Sequence, residues 1–188
     1  MPQGIFLSHT WRPDELGRST HSRVVAVAAE FARRGVRAWL DENEGFAHDV
    51  DECMASGVDS CDVFAVFLTR AYFDKVDAAA KDPSRRDNCY KEFSYAQQSG
   101  KLFLPVIFEP TMSSENWPCG IVKMHCAGKM FVDGSLLPEA DVCDEMLKVI
   151  HRLRRMSGSS VKPNHPLSSP RAISKPTRPA PQLPKLRR

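Results

Sequence analysis

No stretch of the 188-residue chain approaches the roughly 18 consecutive apolar residues that a membrane-crossing helix needs. The first apolar run, Ile5-Phe6-Leu7, is far too short for a secretory leader. None of the six cysteines (Cys53, Cys61, Cys89, Cys119, Cys126 and Cys143) stands in a C-x-x-C pair, which removes zinc-ribbon and thioredoxin-type motifs. Reduced thiols in a cytoplasmic protein are the economical expectation, with no bound metal or cofactor. No G-x-G-x-x-G and no G-x-x-x-x-G-K-[ST] occurs, so the usual glycine-rich phosphate cradles are missing. G-x-S-x-G, the elbow of a serine hydrolase, is missing too. Acidic residues stop before Ser157; beyond it stand seven basic residues and seven prolines. The net charge of +3 therefore averages two unlike regions, because residues 1–156 hold 19 basic and 23 acidic side chains. That larger part is mildly acidic and has no footprint for nucleic acid.

What remains is a chain of alternating strand and helix signals. Residues 4–8 form a short apolar run and predict a buried first strand, followed by a loop at 10–18 containing Pro13 and Gly17. Ser19 or Thr20 can cap a helix whose apolar positions Val24, Val27, Ala28 and Phe31 have helical spacing, and Gly35 can end it. Residues 36–40 predict a second strand, with the acidic loop Asp41-Glu42-Asn43-Glu44-Gly45 after it. Val50, Cys53 and Met54 mark a short helix closed by Gly57. Val63-Phe64-Ala65-Val66-Phe67-Leu68 is the strongest strand, and its uninterrupted apolar character predicts burial on both faces. Residues 71–86 read as a polar connection. Residues 102–108 read as a strand that Pro105 places near an edge or at a bulge. Residues 109–129 read as irregular, 129–132 as a last strand, and Val142, Met146, Val149, Ile150 and Leu153 as one face of a closing helix. Alternation with short connections argues for a parallel sheet covered on both faces. Ligands in such sheets sit beyond the carboxyl ends of the strands.

One further helix begins on that edge. Asp87 or Asn88 can cap it, Cys89, Phe93 and Ala96 make its core stripe, and Ser99-Gly100 stops it. Glu92 lies about 100° around the helix from Phe93, at the border between core and solvent. A solvated helix glutamate is the ordinary outcome for such a residue. Its place among the strand-end loops, with no second acid, base or metal set in view, raises Glu92 above that. A response-regulator receiver shares the architecture but needs an acidic pair after strand one and an aspartate after strand three. Ser8-His9 and Leu68-Thr69 stand there instead. Ser8 and His9 should point to opposite sides of an extended strand, which makes His9 a structural hydrogen bonder rather than a base.

Five motifs in register carry a family resemblance: Ile5-Phe6-Leu7-Ser8-His9, Arg37-Ala38-Trp39-Leu40-Asp41-Glu42, residues 60–69, Asn88-Cys89-Tyr90-Lys91-Glu92-Phe93 and Leu104-Pro105-Val106. Over roughly 4–155 the chain resembles TIR (Toll/interleukin-1 receptor) domains. The nearest in pattern are the NAD-cleaving SARM-like ones and the stand-alone bacterial and protist ones. The resemblance implies an α/β, flavodoxin-like three-layer αβα fold with a central five-stranded parallel sheet. It implies a TIR domain over 1–156, and association with other TIR domains. In the enzymatic branch it implies cleavage of NAD⁺, as substrate, at the nicotinamide–ribose bond, with Glu92 as the catalytic carboxylate. Ser8, His9, Trp11, Arg12, Asp41, Phe46 and Cys89 are the substrate-binding candidates that follow from it. Glu44, His48, Asp49 and Trp117 are the interface candidates, Trp117 as an exposed aromatic anchor. The loop departs from the SARM type at Glu44, where lysine stands there, and at His48, where glycine is common. Trp39 is expected in the core. A non-enzymatic TIR–TIR adaptor is the alternative function.

The remainder, 157–188, reads as a basic, Pro/Ser-rich tail without enough apolar residues to fold. Within it, Arg178-Pro179-Ala180-Pro181-Gln182-Leu183-Pro184 fits R-x-x-P-x-x-P, a ligand pattern of SH3-like grooves. In a tail this rich in proline a chance match is the better explanation of the pattern.

Overall fold

The apolar run at 63–68 becomes the middle of the sheet, buried at every position. The computed structural model describes residues 4–40 and 50–158. In chain order the elements are β1 (Gly4–Ser8), α1 (Thr20–Arg33), β2 (Arg37–Trp39), α2 (Val50–Asp59), β3 (Val63–Leu68) and α3 (Arg70–Lys81). There follow α4 (Asn88–Gln98), β4 (Leu102–Ile107), α5 (Ile121–Cys126), β5 (Val132–Asp133) and α6 (Glu139–Gly158). The five strands pair in parallel in the order β2-β1-β3-β4-β5. This is the doubly wound order of the flavodoxin-like class.

Side-chain alternation along the strands builds two cores, because successive residues of a strand face opposite ways. Ile5, Leu7, Val63, Ala65, Phe67, Leu104 and Val106 face α1 and α6, where Val24, Val27, Phe31, Val142, Met146 and Ile150 complete the layer. Phe6, Phe64, Val66, Leu68, Phe103 and Ile107 face the other side, against Tyr72, Phe73, Val76, Phe93 and Cys126 of α3, α4 and α5. Each fully buried large side chain contributes about 1.5–3 kcal/mol relative to exposure. By parity Ser8 belongs with Phe6, on the α3/α4 side.

Local signals account for most helix ends. Ser19 caps α1 by accepting from the Ser22 N–H, and Gly35 follows the helix at φ +69°. Asp87 caps α4 by accepting from the Tyr90 N–H, and Gly100 leaves it at φ +64°. Both glycines occupy the left-handed conformation that ends a helix at low cost.

The structure corrects the sequence reading in four places. Gly57 does not close α2, which continues to Asp59. A Cβ there would lie 2.4 Å from Cε2 of Trp39, so the glycine lets that ring lie flat on the helix. The connection at 71–86 is mostly the helix α3, with Tyr72, Phe73, Val76 and Ala79 buried at helical spacing between charged residues. Residues 109–129 contain α5 and two single 3₁₀ turns. The last strand is Val132–Asp133, shorter and later than the pattern at 129–132 suggests. Pro105 is accommodated as expected near an edge: β4 pairs with β5 only from Val106 onward. Trp39, expected in the core, is only half-buried: it packs against the core's margin, with its ring centroid 4.4 Å from that of Phe6.

Candidate functional site

β1 is the strand at which the winding reverses, with β2 on one side and β3 on the other. Its last residue, Ser8, pairs with Val66 of β3, and its side chain leaves the sheet at the edge where ligands of this fold class bind. Two groups meet it there. Ser8 Oγ donates to Oε2 of Glu92 at 2.7 Å, and lies 3.0 Å from the hydroxyl of Tyr72. A serine hydroxyl has one hydrogen, and an ionised carboxylate only accepts. The Tyr72 O–H therefore donates to Ser8, which donates to Glu92. Tyr72 is fully buried, and desolvation, with the nearby Cys89 and Glu92, pushes its phenol well above its ordinary pKa. It stays protonated and remains a donor.

Glu92 is 7% exposed, so it sits deeper than the border position its helical angle suggests. It forms part of the wall of a cleft of about 500 Å³ between α2 and α4. Asp51, Met54 and Val58 line it from α2, and Tyr90, Glu92 and Tyr95 from α4, with Arg86 before that helix. The volume is in the range of small-molecule sites. Lys91 Nζ and Asp51 Oδ1, 2.6 Å apart, join the two helices through an exposed ion pair. The Arg86 guanidinium lies 5.4 Å from the ring centre of Tyr90, a cation–π contact. The start of α4 is held by Asp87, which pairs with Lys75 of α3 at 3.1 Å.

Cys89 is a positioning contact. Its Sγ donates to the His9 carbonyl at 3.3 Å, which ties the first turn of α4 to the end of β1. Burial, and the neighbouring carboxylates of Glu92 and Asp87, raise its pKa; it remains a thiol.

His9 turns to the opposite side, as alternation requires. Its Nδ1 lies 3.2 Å from the Leu7 carbonyl and its Nε2 lies 2.8 Å from Nδ1 of His21. A carbonyl only accepts, so Nδ1 of His9 carries the hydrogen. In the neutral ring Nε2 then accepts from His21. Burial lowers the His9 pKa to about 4, overriding the carbonyl contact that favours the proton. His9 is a structural hydrogen bonder, away from the cleft.

Trp11 stacks on His21 with centroids 3.6 Å apart and planes 12° from parallel, so it continues this ring ladder. Arg12 is exposed on the loop after β1. Trp117 is not the exposed anchor its sequence context suggests: it is 4% exposed and its Nε1 donates to the Met112 carbonyl at 2.9 Å. It packs near Phe73 and Phe131. Asp41, Glu44, Phe46, His48 and Asp49 lie outside the described residues. The structure thus brings together Ser8, Cys89 and Glu92, and adds Tyr72, which sequence reasoning missed. The one signal for it was a tyrosine on an apolar helical stripe, since a buried phenol needs a hydrogen-bond partner.

A second polar cluster lies at the far end of the same sheet edge. Glu109, 2% exposed, accepts from the Arg70 N–H at 2.6 Å and the Glu15 N–H at 2.9 Å. It thereby fixes the start of α3 and the loop after β1. Desolvation raises its pKa despite those two donors. Arg23 donates to the carbonyls of Phe108 and Gly134, both at 3.1 Å, and to Glu139 at 2.9 Å. Each of the two is satisfied by its own set of partners, mostly main-chain groups, which is the mark of a structural tie.

The fold and the strand-end placement of the polar groups define a flavodoxin-like α/β protein with its candidate site at the β1/β3 switch point. The family model for the TIR domain matches residues 5–144, and the chain belongs to that family. It is a TIR-domain signalling module. Comparison with curated proteins gives no match. Among solved structures it is similar to a prokaryotic SEFIR domain, at 17% identity over 92% of this chain and 99% of that one, with a TM-score of 0.52. The TIR domain of the Toll-related receptor TRR-2 of Hydra magnipapillata matches at 12% identity over 80% and 97%, with a TM-score of 0.47. The RPS4 and RRS1 TIR domain heterodimer matches at 10% identity over 80% and 98%, also with a TM-score of 0.47. At 17% identity the likeness to the SEFIR domain speaks to the fold alone. No helix among the described residues is long and apolar enough to cross a membrane.

Proposed function

We propose that this TIR domain is an NAD⁺ glycohydrolase that cleaves the nicotinamide–ribose bond, with Glu92 as the catalytic carboxylate. The observation that carries the reading is the setting of Glu92: a nearly buried carboxylate in the wall of the α2/α4 cleft, held through Oε2 by Ser8 at 2.7 Å. The chemistry requires little more. Nicotinamide departs as a neutral pyridine, so no general acid is needed, in contrast to a glycosidase with an alkoxide leaving group. The ribose carbon becomes oxocarbenium-like, and a fixed anion stabilises that charge electrostatically or captures it covalently. Water then yields ADP-ribose, or an internal nucleophile yields its cyclic form. Self-association with further TIR domains belongs to the same reading, and activity should rise with protein concentration.

The test is nicotinamide release from NAD⁺ by the full chain across a wide range of protein concentration. Wild type should release it and Glu92→Ala should lose at least about a hundredfold of the rate, the scale seen when a main electrostatic group is removed. Equal rates in both proteins would remove Glu92 from the mechanism. A non-enzymatic TIR–TIR adaptor is the second reading, and one observation favours it: Glu92 is 7% exposed and already serves as a hydrogen-bond acceptor in the packed fold. Under that reading Glu92→Ala changes stability, and no concentration of wild type releases nicotinamide.

A further inference from the structure

The hydroxyls of Ser8 and Tyr72 form a two-step donor chain that ends on the carboxylate just assigned, and it has no evident packing purpose. Ser8 is the last residue of β1, and the sheet pairing of Ser8 with Val66 fixes its backbone. Tyr72 lies in the first turn of α3, whose cap Thr69 accepts from the Tyr72 N–H. Glu92 comes from α4. Three separate elements therefore deliver one polar atom each to one point on the α3/α4 side of the sheet, where Ser8, Tyr72 and Glu92 are all buried. A polar group in such surroundings is costly unless its partners are met. An alanine and a phenylalanine at 8 and 72 would satisfy the packing alone.

We propose that Ser8 and Tyr72 are positioning residues for Glu92. Tyr72 orients the Ser8 hydroxyl, and Ser8 holds the carboxylate in the rotamer that faces the cleft. The inference rests on the enzymatic reading above. Its physical basis is that a nucleophile or counter-ion must be held to within a fraction of an ångström to act in the transition state. Glutamate has three side-chain torsions, and a rigid strand is the most reliable anchor for its far end. The Tyr72 hydroxyl meets the Ser8 hydroxyl at 3.0 Å, so the hydrogen-bonded part of its influence should vanish when Ser8 loses its hydroxyl. The one hydrogen of the Ser8 hydroxyl is donated to Glu92, so in this proposal Ser8 grips the carboxylate rather than making the substrate contact its sequence context suggests, and both residues should act on turnover more than on binding.

The experiment measures steady-state nicotinamide release by the full-length chain, with thermal unfolding as the folding control. Ser8→Ala should lower kcat by about 10- to 100-fold with KM within about twofold of wild type. Tyr72→Phe, which keeps the ring in the core, should lower kcat by roughly three- to tenfold. In the Ser8→Ala background Tyr72→Phe should cost nothing further, and Ser8→Thr, which keeps the hydroxyl, should restore most of kcat. A Ser8→Ala protein that fails to fold leaves Tyr72→Phe and Ser8→Thr to decide. Release that is lost in Glu92→Ala but unchanged in Tyr72→Phe, or that falls only through KM, overturns the proposal and leaves the enzymatic reading intact. Independent, multiplicative losses from the two substitutions overturn the ordered chain. No release from wild type at any concentration overturns both.

Discussion

His9 shows how a single side chain sets a pH limit on the fold. Its pKa is lowered to about 4 in the folded protein, from an ordinary 6.5, chiefly by burial. The unfolded chain therefore binds more protons than the folded one between those values. Stability is at its full value above about pH 6.5 and is lost as pH falls toward 4, by no more than about 3 kcal/mol from this residue. Urea midpoints at pH 7, 5.5 and 4 should show the fall in wild type, and a flatter profile in His9→Gln. A profile of the same steepness in that variant would place the acid sensitivity elsewhere. Glu92 and His9 were both visible from their own sequence context, one as a carboxylate on the ligand edge and the other as a structural ring. Tyr72 was not, because the partner that explains it lies 64 positions away in β1. Ser8 was visible as a strand-end polar residue, yet nothing in its neighbours says that it grips a glutamate 84 positions later. Trp117 misled for the same reason: its Pro-flanked, polar surroundings describe a loop, whereas its burial depends on Phe73 and Phe131 arriving from distant segments.

Strands and long helices were legible because their signals are local. β3 announces itself by six apolar residues in a row, and α6 by the spacing of Val142, Met146, Val149, Ile150 and Leu153. α3 is hidden by its charged residues, Arg70, Asp74, Lys75, Asp77 and Lys81, which dilute a stripe of only four buried apolar side chains. α5 spans six residues, too few for any helical period to show. Its start instead depends on Asp77 of α3, whose carboxylate accepts from the Val122 N–H at 3.3 Å. A Cβ at Gly120 would sit 2.1 Å from that carboxylate, so this glycine serves a close approach rather than a turn. Gly57 makes the same point with a measurable consequence. In an exposed helix Gly→Ala stabilises by about 1 kcal/mol. Here the added methyl meets Trp39, whose ring is already stacked on Phe6. Gly57→Ala should therefore destabilise by about 1–3 kcal/mol, read as a melting temperature lower by roughly 3–10 °C. An unchanged or higher melting temperature would show that the Trp39 ring yields easily.

At the scale of the molecule, one arginine joins the two ends of the described chain. Arg23 leaves α1, lies with its guanidinium 3.9 Å from the centre of the Phe108 ring, and bonds the carbonyls that follow β4 and β5. It also meets Glu139 at the start of α6 and, at 3.5 Å, Asp14 in the loop after β1. Arg23→Met keeps much of the apolar length but strands these acceptors and carboxylates. It should cost about 3–5 kcal/mol of unfolding free energy, measured by urea titration at neutral pH; a loss under 1 kcal/mol would mean that water replaces the guanidinium freely. The general outline, a parallel doubly wound sheet, followed from alternation alone. The tie that closes it did not, since two of its partners are main-chain oxygens that any residue could supply and its carboxylate partner Glu139 lies 116 positions away. The cysteines carry a last consequence. Cys61, Cys89, Cys126 and Cys143 are buried and all six thiols are free, with Cys53 and Cys119 at the surface. The four interior thiols are spread over the segment before β3 and over α4, α5 and α6, so they act as built-in clocks. An alkylating reagent modifies two positions at once, and the others only as fast as their own element opens.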